Sequence, residues 1–222
     1  MLIISTKVCA HTQFERITTE KGLSQSSINT ILQDKKGFLW VGTFDGLNRY
    51  DGFNFKVYKN DSEDPHSLSD NTIWAMYEDR FGELWVGTAG GGLNKYDKDN
   101  EQFIHYKANP GEPHSLSHNE IRTIYEDRSG RLWIGTAGGG INKFDRNKNQ
   151  FTHYKKDPNN HNSLSHNDIR AIHEDRSGAL WIGTADGGLN KFEVEQGRFT
   201  HYMADPNDPN SLAHNRVVSI HE

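Results

Sequence analysis

The stretch "EDRSGRLWIGT" (126–136) returns almost letter for letter as "EDRSGALWIGT" (174–184). Related versions stand earlier in the chain as "EDRFGELWVGT" (78–88) and "QDKKGFLWVGT" (33–43). One chain of 222 residues therefore contains four copies of the same local pattern. A fixed internal period is the first feature to interpret, because it indicates a repeat architecture in place of an ordinary single core.

The tryptophan of each copy marks the period. Successive tryptophans are 45, 48 and 48 residues apart: Trp40, Trp85, Trp133 and Trp181. Residues 115–162 and 163–210 are identical at 32 of 48 positions, so these two units must share one structure. A pitch of this length is typical of a propeller blade made of four strands.

Within one unit the residues predict four short strands, each bounded by Gly, Asn, Asp or Ser. They are "IRTIYED" (121–127), "LWIGT" (132–136), "INKFD" (141–145) and "FTHYK" (151–155). The first is ambiguous by periodicity alone, because Ile121 and Ile124 could also open a helix after the Ser/Asn-rich "SLSHN". The repeat context favours a strand.

The repeated motif itself predicts a tight turn followed by a buried strand. Asp127 can accept hydrogen bonds from the turn backbone, and Gly130 can adopt the positive φ that such a turn requires. Trp133 then follows on an apolar strand, where a buried indole would hide ~150–250 Å² against the neighbouring sheet. Tryptophans that stack on sugars or bases are the alternative, but their position inside "LWIG" strands favours packing.

We therefore predict an all-β fold: a β-propeller of four-stranded antiparallel blades, with four complete blades plus two partial-blade strands. Residues 13–24 align with an outermost strand, and residues 215–222 align with an innermost strand. This organisation makes 13–222 a propeller repeat array, which we expect to be a fragment of a longer propeller. Residues 1–12 form an N-terminal extension whose "VCA" (8–10) could be the remnant of a signal-peptide cleavage region.

Composition narrows the range of partners. The 25 Lys and Arg against 30 Asp and Glu give a net charge of -5, so we expect no nucleic-acid partner. No apolar run approaches a membrane span, so no membrane contact is expected within this chain. The lone Cys9 excludes an internal disulfide. Open blade edges could pair with another copy and so give a homo-oligomer.

The long loops predict where a ligand would bind. In a four-stranded blade, the loop that leads to the next blade shares a face with the turn between the two middle strands. Pockets in such folds are expected there, where variable loops stand on a rigid base. We expect ligand contacts from the residues that enter the inner strands: Asp70, Asn71, Trp74, His118, Asn119, Arg122, His166, Asn167, Arg170, His214 and Asn215.

Each of these residues also has a purely structural interpretation. Asn before a strand commonly binds its own loop backbone. Trp74 is more distinctive, because other units carry Arg122 and Arg170 at its position. His105, His153 and His201 recur once per blade on outer strands and cannot share a metal, so we predict no metal site and no cofactor. The Glu-Asp pairs recur at every turn, whereas catalysis needs one asymmetric constellation, so we predict no catalytic residues.

Residues 14–55 and the unit "SLSHNDIRAIHEDRSGALWIGTADGGLNKF" (163–192) resemble the two-component regulator propeller repeats of bacterial hybrid sensor kinases. The resemblance covers the chain from about residue 13 onward. It implies an extracytoplasmic sensor region, placed in the periplasm or outside the cell, and many family members respond to polysaccharide fragments. The family also has a membrane helix, a β-sandwich and a kinase, and we expect none of these within residues 1–222.

We therefore expect a noncatalytic ligand-sensing module whose ligand is a small molecule or oligosaccharide, or whose partner is a neighbouring propeller or β-sandwich domain. A propeller enzyme similar to streptogramin lyases is the first alternative, since those enzymes have similar short blades. A protein–protein interaction scaffold is the second.

Overall fold

The computed structural model describes residues 16–222, which form sixteen strands and one short 3-10 helix at Thr19–Lys21. Sheet 1 contains β1 (Ile28–Gln33), β2 (Leu39–Thr43), β3 (Leu47–Tyr50) and β4 (Phe55–Tyr58). Sheet 2 contains β5 (Ile73–Glu78), β6 (Leu84–Thr88), β7 (Leu93–Asp97) and β8 (Gln102–Tyr106). Sheet 3 contains β9 (Ile121–Glu126), β10 (Leu132–Thr136), β11 (Ile141–Asp145) and β12 (Gln150–Tyr154). Sheet 4 contains β13 (Ile169–Glu174), β14 (Leu180–Thr184), β15 (Leu189–Glu193) and β16 (Arg198–Tyr202).

Each sheet is an antiparallel meander in chain order, so every strand pairs with the one that precedes or follows it. The first strands β1, β5, β9 and β13 are neighbours from sheet to sheet, which gathers them at one side as the inner strands. The ambiguous segment at 121–127 is strand β9, which confirms the strand prediction. The predicted all-β fold with four four-stranded blades is confirmed.

The repeated motif forms the turn that the sequence predicts. The carboxylate of Asp127 accepts a hydrogen bond from the amide of Arg131 at 2.9 Å, and Gly130 has φ +83°. The same carboxylate accepts a hydrogen bond from the indole Nε1 of Trp133 at 2.9 Å. Equivalent indole–carboxylate bonds of 2.7–2.8 Å join Asp34 to Trp40, Asp79 to Trp85 and Asp175 to Trp181. The turn thus also orients the tryptophan.

Sheets pack face to face through these indoles. Trp85 of sheet 2 contacts Phe144 of sheet 3 edge-on at 5.4 Å, and Trp133 of sheet 3 contacts Phe192 of sheet 4 at 5.9 Å. Both indoles are fully buried. Trp181, on sheet 4, is only half-buried, because no described sheet follows it. The core therefore consists of apolar layers between adjacent sheets, as the sequence predicts.

The glycine two residues after each tryptophan allows neighbouring sheets to approach closely. A Cβ on Gly135 would lie 2.6 Å from Cγ2 of Ile169, the first residue of the next inner strand. Gly42 and Gly87 meet Ile73 and Ile121 in the same way. A side chain at this position would force the sheets apart, which explains why "LWIGT" and "LWVGT" keep a glycine in mid-strand.

A second contact fastens each turn to the next sheet. Arg80 donates to the Glu126 carboxylate from its backbone amide at 2.9 Å and from Nε at 3.0 Å. Its Nη2 also donates to the carbonyl of Asp127 at 2.8 Å. Arg128 repeats the contact with Glu174, at 2.8 Å from its amide. The paired Glu and Asp of the repeat therefore have two structural tasks: Glu binds the preceding sheet and Asp holds its own indole.

The two predicted partial-blade strands are not observed. Residues 13–15 lie outside the described residues, and the rest of 13–24 is irregular apart from the 3-10 helix. Residues 215–222 form no strand either. Val217 nevertheless packs on Gly183 and donates to the Thr184 carbonyl at 2.9 Å, as a first inner-strand residue would. The physical reason is pairing, since no strand in the described chain lies beside 215–222 to complete a ladder.

Candidate functional site

The long interblade loops and the middle-strand turns meet on one face, which we call the loop face. The carbonyl of the Asn that ends each loop accepts a hydrogen bond from a glycine of the adjacent turn. These pairs are Asn71 with Gly46, Asn119 with Gly92, Asn167 with Gly140 and Asn215 with Gly188, at 2.7–2.9 Å. The predicted meeting of loops and glycine turns is therefore confirmed.

The side chains of these four asparagines close their own loops. Each Oδ1 accepts a hydrogen bond of 2.7 Å from the backbone amide eleven residues earlier. The donors are Asn60 for Asn71, Ala108 for Asn119, Lys156 for Asn167 and Ala204 for Asn215. The structural interpretation of the asparagines thus has direct support, and a ligand could use only their remaining amide groups.

The residue before each asparagine caps the backbone locally. Nδ1 of His118 and of His166 accepts a hydrogen bond of 3.1 Å from the amide two residues later, and Nδ1 of His214 does so at 2.9 Å. Asp70 accepts the equivalent bond from Thr72 at 2.7 Å. These four predicted site residues therefore shape the ends of the loops, and their ring Nε2 or second carboxylate oxygen is the atom left for other contacts.

Trp74, Arg122 and Arg170, which the sequence predicts as site residues, share a backbone feature that the sequence does not indicate. Each is the extra, unpaired residue of a β-bulge at the start of an inner strand. In β5, Ile73 pairs with Thr88 and Ala75 pairs with Gly87, so Trp74 has no partner across the sheet. Bulges redirect side chains and are common beside functional sites. Asn29 is the corresponding residue of sheet 1.

Trp74 is the centre of an aromatic cluster at the inner strands. Its ring meets Phe44 of sheet 1 edge-on at 5.4 Å, and the guanidinium of Arg122 from sheet 3 lies 5.1 Å from the indole centroid. Phe44 is 44% exposed and replaces the alanine found in the other three sheets, as Trp74 replaces arginine. The predicted stacking residue therefore lies in a contact of three successive sheets, with one indole face already covered by Arg122.

Unpartnered polar atoms concentrate at the same place. Among residues 16–222, seven buried side-chain polar atoms lack a hydrogen-bond partner. Four of them belong to this region: Nε1 of Trp74, Nε of Arg122, Nε of Arg170 and Oδ1 of Asp168. Buried polar groups are normally satisfied, so such a concentration points to water or to a ligand.

The charges of this region balance closely. Arg122 pairs with Glu120 at 2.5 Å, and Arg170 pairs with Asp168 at 2.8 Å. Asp70 adds one further carboxylate on the same face. Two guanidiniums beside three carboxylates give a mixed, nearly neutral lining, which suits hydroxyl and amide groups better than a strongly charged ligand.

The histidines of the outer strands contact the backbone of the loops and stabilise the fold. Nε2 of His105, His153 and His201 lies 2.6–2.7 Å from the carbonyl of Ser67, Ser115 and Ser163, respectively. These contacts tie the outer strands to the loops.

In the described residues, no group of three or more His, Cys, Asp and Glu could hold a metal ion. No helix in the same part of the chain has the length and apolarity to cross a membrane.

Four segments of the chain match the model of one protein family. The model of the "Two component regulator propeller" family matches residues 22–45, 67–90, 115–138 and 163–186. Each match covers the inner strand, the repeated turn and the second strand of one sheet. A histidine kinase of Formosa agariphila is similar to this chain, with 57% identity over 56 residues, which is 25% of this chain and 4% of the kinase.

Solved structures show the same architecture. The extracellular domain of a putative hybrid two-component system from B. thetaiotaomicron has 29% identity and a TM-score of 0.64, covering 86% of this chain and 32% of that chain. A second such domain from the same organism has 30% identity and a TM-score of 0.66, covering 79% of this chain and 25% of that chain. This chain thus spans about a third or less of the receptor domains that it matches.

A lyase is similar in fold alone. Virginiamycin B lyase from Staphylococcus aureus has 17% identity and a TM-score of 0.56, covering 80% of this chain and 56% of the lyase. By contrast, the repeat model matches once on each of the four sheets, and the solved relatives at 29–30% identity are extracellular domains of two-component systems. The chain therefore carries four matches to the two-component regulator propeller repeat, one on each sheet, and its fold is that of the extracellular domains of two-component systems.

Proposed function

We propose that this propeller is a noncatalytic ligand-sensing module of a bacterial two-component signalling receptor and works in the periplasm or outside the cell. Its ligand is a neutral, hydroxyl-rich small molecule, an oligosaccharide in the first instance, bound on the loop face. The single observation that carries this proposal is the row of bulged residues, Trp74, Arg122 and Arg170, with their buried and unpartnered polar atoms.

The chemistry of the row supports such a ligand. Phe44 and Trp74 offer apolar ring edges, while Arg122 and Arg170 offer donors next to the acceptors Glu120 and Asp168. A few polar groups that converge beside aromatic rings are typical of small-molecule sites. The signalling role and the location are supported by the solved relatives, which are extracellular domains of two-component systems.

A thermal-shift screen against a defined oligosaccharide library tests the proposal. A ligand at 100 times its dissociation constant stabilises the native state by about 2.7 kcal/mol. For a chain of this size, that stabilisation raises Tm by roughly 5–10 °C. Trp74→Arg, which installs the residue of sheets 3 and 4, should abolish the shift while leaving the unliganded Tm within a few degrees.

Phe53→Ser is the matched control, because Phe53 is 88% exposed and belongs to the turn between β3 and β4 at the opposite end of sheet 1. Its ligand-induced shift should equal that of the wild type. A shift that survives Trp74→Arg would contradict the proposed site. Turnover of a library member, detected by mass spectrometry, would contradict a noncatalytic role.

A further inference from the structure

A groove opens between sheets 2 and 3 on the side of the repeated turns, away from the loop face. Its volume is about 430 Å3. It is lined by Phe81, Glu83, Trp85, Lys95, Tyr106, Phe144, Arg146 and Asn149. Trp85, Tyr106 and Phe144 pack against one another with centroid distances of 5.3–5.7 Å, so they form a rigid aromatic floor.

The other two sheet interfaces fill the equivalent space with their own side chains. The residue two positions before the tryptophan determines whether the space between the sheets is filled or open. It is Phe38 in sheet 1, Glu83 in sheet 2 and Arg131 in sheet 3. Between sheets 1 and 2, the Arg49 guanidinium stacks 5.0 Å from the Phe38 ring, and the remaining cavity is about 60 Å3. Between sheets 3 and 4, Arg131 reaches across to Glu195 at 2.9 Å.

Residues that are unique among the repeats border the open groove. Phe81 replaces Lys36, Ser129 and Ser177 in the repeated turn and is 66% exposed. Arg146 replaces Lys98 and Val194, and its guanidinium stacks 5.1 Å from the Phe81 ring and 5.6 Å from the Trp85 ring. The groove therefore results from residues that differ from their equivalents in the other sheets. The fold itself does not require these differences.

The charged groups of the groove neutralise one another. Glu83 accepts from Lys95 and from Arg146, both at 2.9 Å. Arg146 also donates to the buried Asp79 at 2.7 Å. No net charge is thus left to attract a cation or an anion. Lys95 and Arg146 both lie over the Trp85 ring, and Arg146 covers one face of Phe81, so the other face of Phe81 is the aromatic surface left for a ligand.

Neutral hydrogen-bonding groups remain free at the wall. The Tyr106 hydroxyl and the Asn149 side-chain amide make no hydrogen bond among the described residues. Burial raises the pKa of Tyr106, so its hydroxyl stays a neutral donor and acceptor. The exposed Phe81 ring beside neutral donors and acceptors matches a ligand ring with one apolar face and a hydroxylated edge.

We propose that this groove is a second binding site, independent of the loop face, and that it takes a neutral polyhydroxylated ring such as a single pyranose unit. The ring packs its C–H face on Phe81, and its hydroxyls bond to Tyr106, Asn149 and the Glu83 carboxylate. A ligand this small binds with a dissociation constant on the order of millimolar.

Saturation-transfer difference NMR with methyl β-D-glucopyranoside and methyl β-D-galactopyranoside tests the site. The wild type should give transfer to at least one probe, strongest at the C–H protons of the packed face. In the Trp74→Arg background, where the loop-face site is altered, Phe81→Ser, which installs the residue of Ser129 and Ser177, should abolish the signal with an unchanged circular dichroism spectrum. Tyr106→Phe should weaken binding several-fold without loss of fold.

Two control variants show whether the pyranoside binds in this groove. Ser129→Phe places the same ring at the interface closed by Arg131 and should add no binding. Trp74→Arg alters the loop face and should leave the groove signal intact. An incorrect proposal for one site can therefore be distinguished from an incorrect proposal for the other. Absence of transfer from both pyranosides, equal transfer with Phe81→Ser, or preferential binding of phenyl phosphate or choline would each overturn the proposal.

Discussion

Replacement of Asp127 by Asn tests whether the repeated carboxylate is the main local support of the buried indole. In the native protein, one carboxylate oxygen accepts from the Arg131 amide at 2.9 Å. The other accepts from Trp133 Nε1 at 2.9 Å and from Arg131 Nε at 2.7 Å. Asn keeps the shape and the first acceptor, but its amide NH2 would face two donors.

The expected cost follows from these contacts. A hydrogen bond to a charged group contributes roughly 1.5–3 kcal/mol, and a buried donor left without a partner costs roughly 1–3 kcal/mol. Trp133 is fully buried and Asp127 is 1% exposed, so water cannot replace the lost acceptor. We expect Asp127→Asn to lower the free energy of unfolding by about 3 kcal/mol. With an m-value of about 2 kcal/mol per M, the urea midpoint should fall by about 1.5 M.

Asp175→Asn is the matched control in the same motif. Asp175 accepts from Trp181 Nε1 at 2.7 Å, but both residues are only half-buried because sheet 4 has no following sheet in the described chain. Water can therefore satisfy the freed indole, and the loss should be about 1 kcal/mol. Urea unfolding followed by far-UV circular dichroism compares the two. Equal losses, or a larger loss for Asp175→Asn, would refute the argument from burial.

Three further predictions concern the same architecture. Gly135→Ala should cost about 1–3 kcal/mol in urea unfolding, because its Cβ would lie 2.6 Å from Ile169, whereas Gly111→Ala in an open loop should be neutral. Glu126→Gln should cost about 1–2 kcal/mol by weakening the two bonds from Arg80, and a double-mutant cycle with Arg80→Ala should give a non-zero coupling energy. Hydrogen bonds from the Ser177 hydroxyl and the Trp181 indole lower the pKa of Asp175, although burial opposes them. Burial also acts to raise the pKa of Asp79, but hydrogen bonds from Trp85, the Glu83 amide and Arg146 outweigh it, so this pKa is lowered as well. A folded-state pKa below the unfolded value stabilises the protein above about pH 4 and loses that stabilisation as pH falls. Tm should therefore drop below about pH 4, and Asp175→Asn should make that drop shallower; a pH-independent Tm would contradict this reasoning.

The candidate site could be predicted only in part. The sequence indicates the face, because loop length and glycine turns recur once per unit, and it indicates Trp74 as a departure from the repeat. It does not indicate the β-bulge, since a one-residue register shift depends on pairing with a second strand. Phe44 is likewise missed, although its difference from the alanine of the other units was visible. The groove beside Phe81 and Arg146 is also invisible in the sequence, because these residues are 65 positions apart and meet only through the packing of two sheets.

The sequence by itself determines the blade. The 48-residue period, the Asp–Gly turn and the four short apolar runs fix strand number, order and turn conformation, because these depend on interactions within a few tens of residues. Only the tertiary structure decides what lies between blades. It shows that Asp127 binds the indole, that Gly135 makes room for Ile169, and that Glu126 holds Arg80 of the preceding sheet. It also shows that 215–222 form no strand, because a strand exists only where another strand supplies its hydrogen-bond partners.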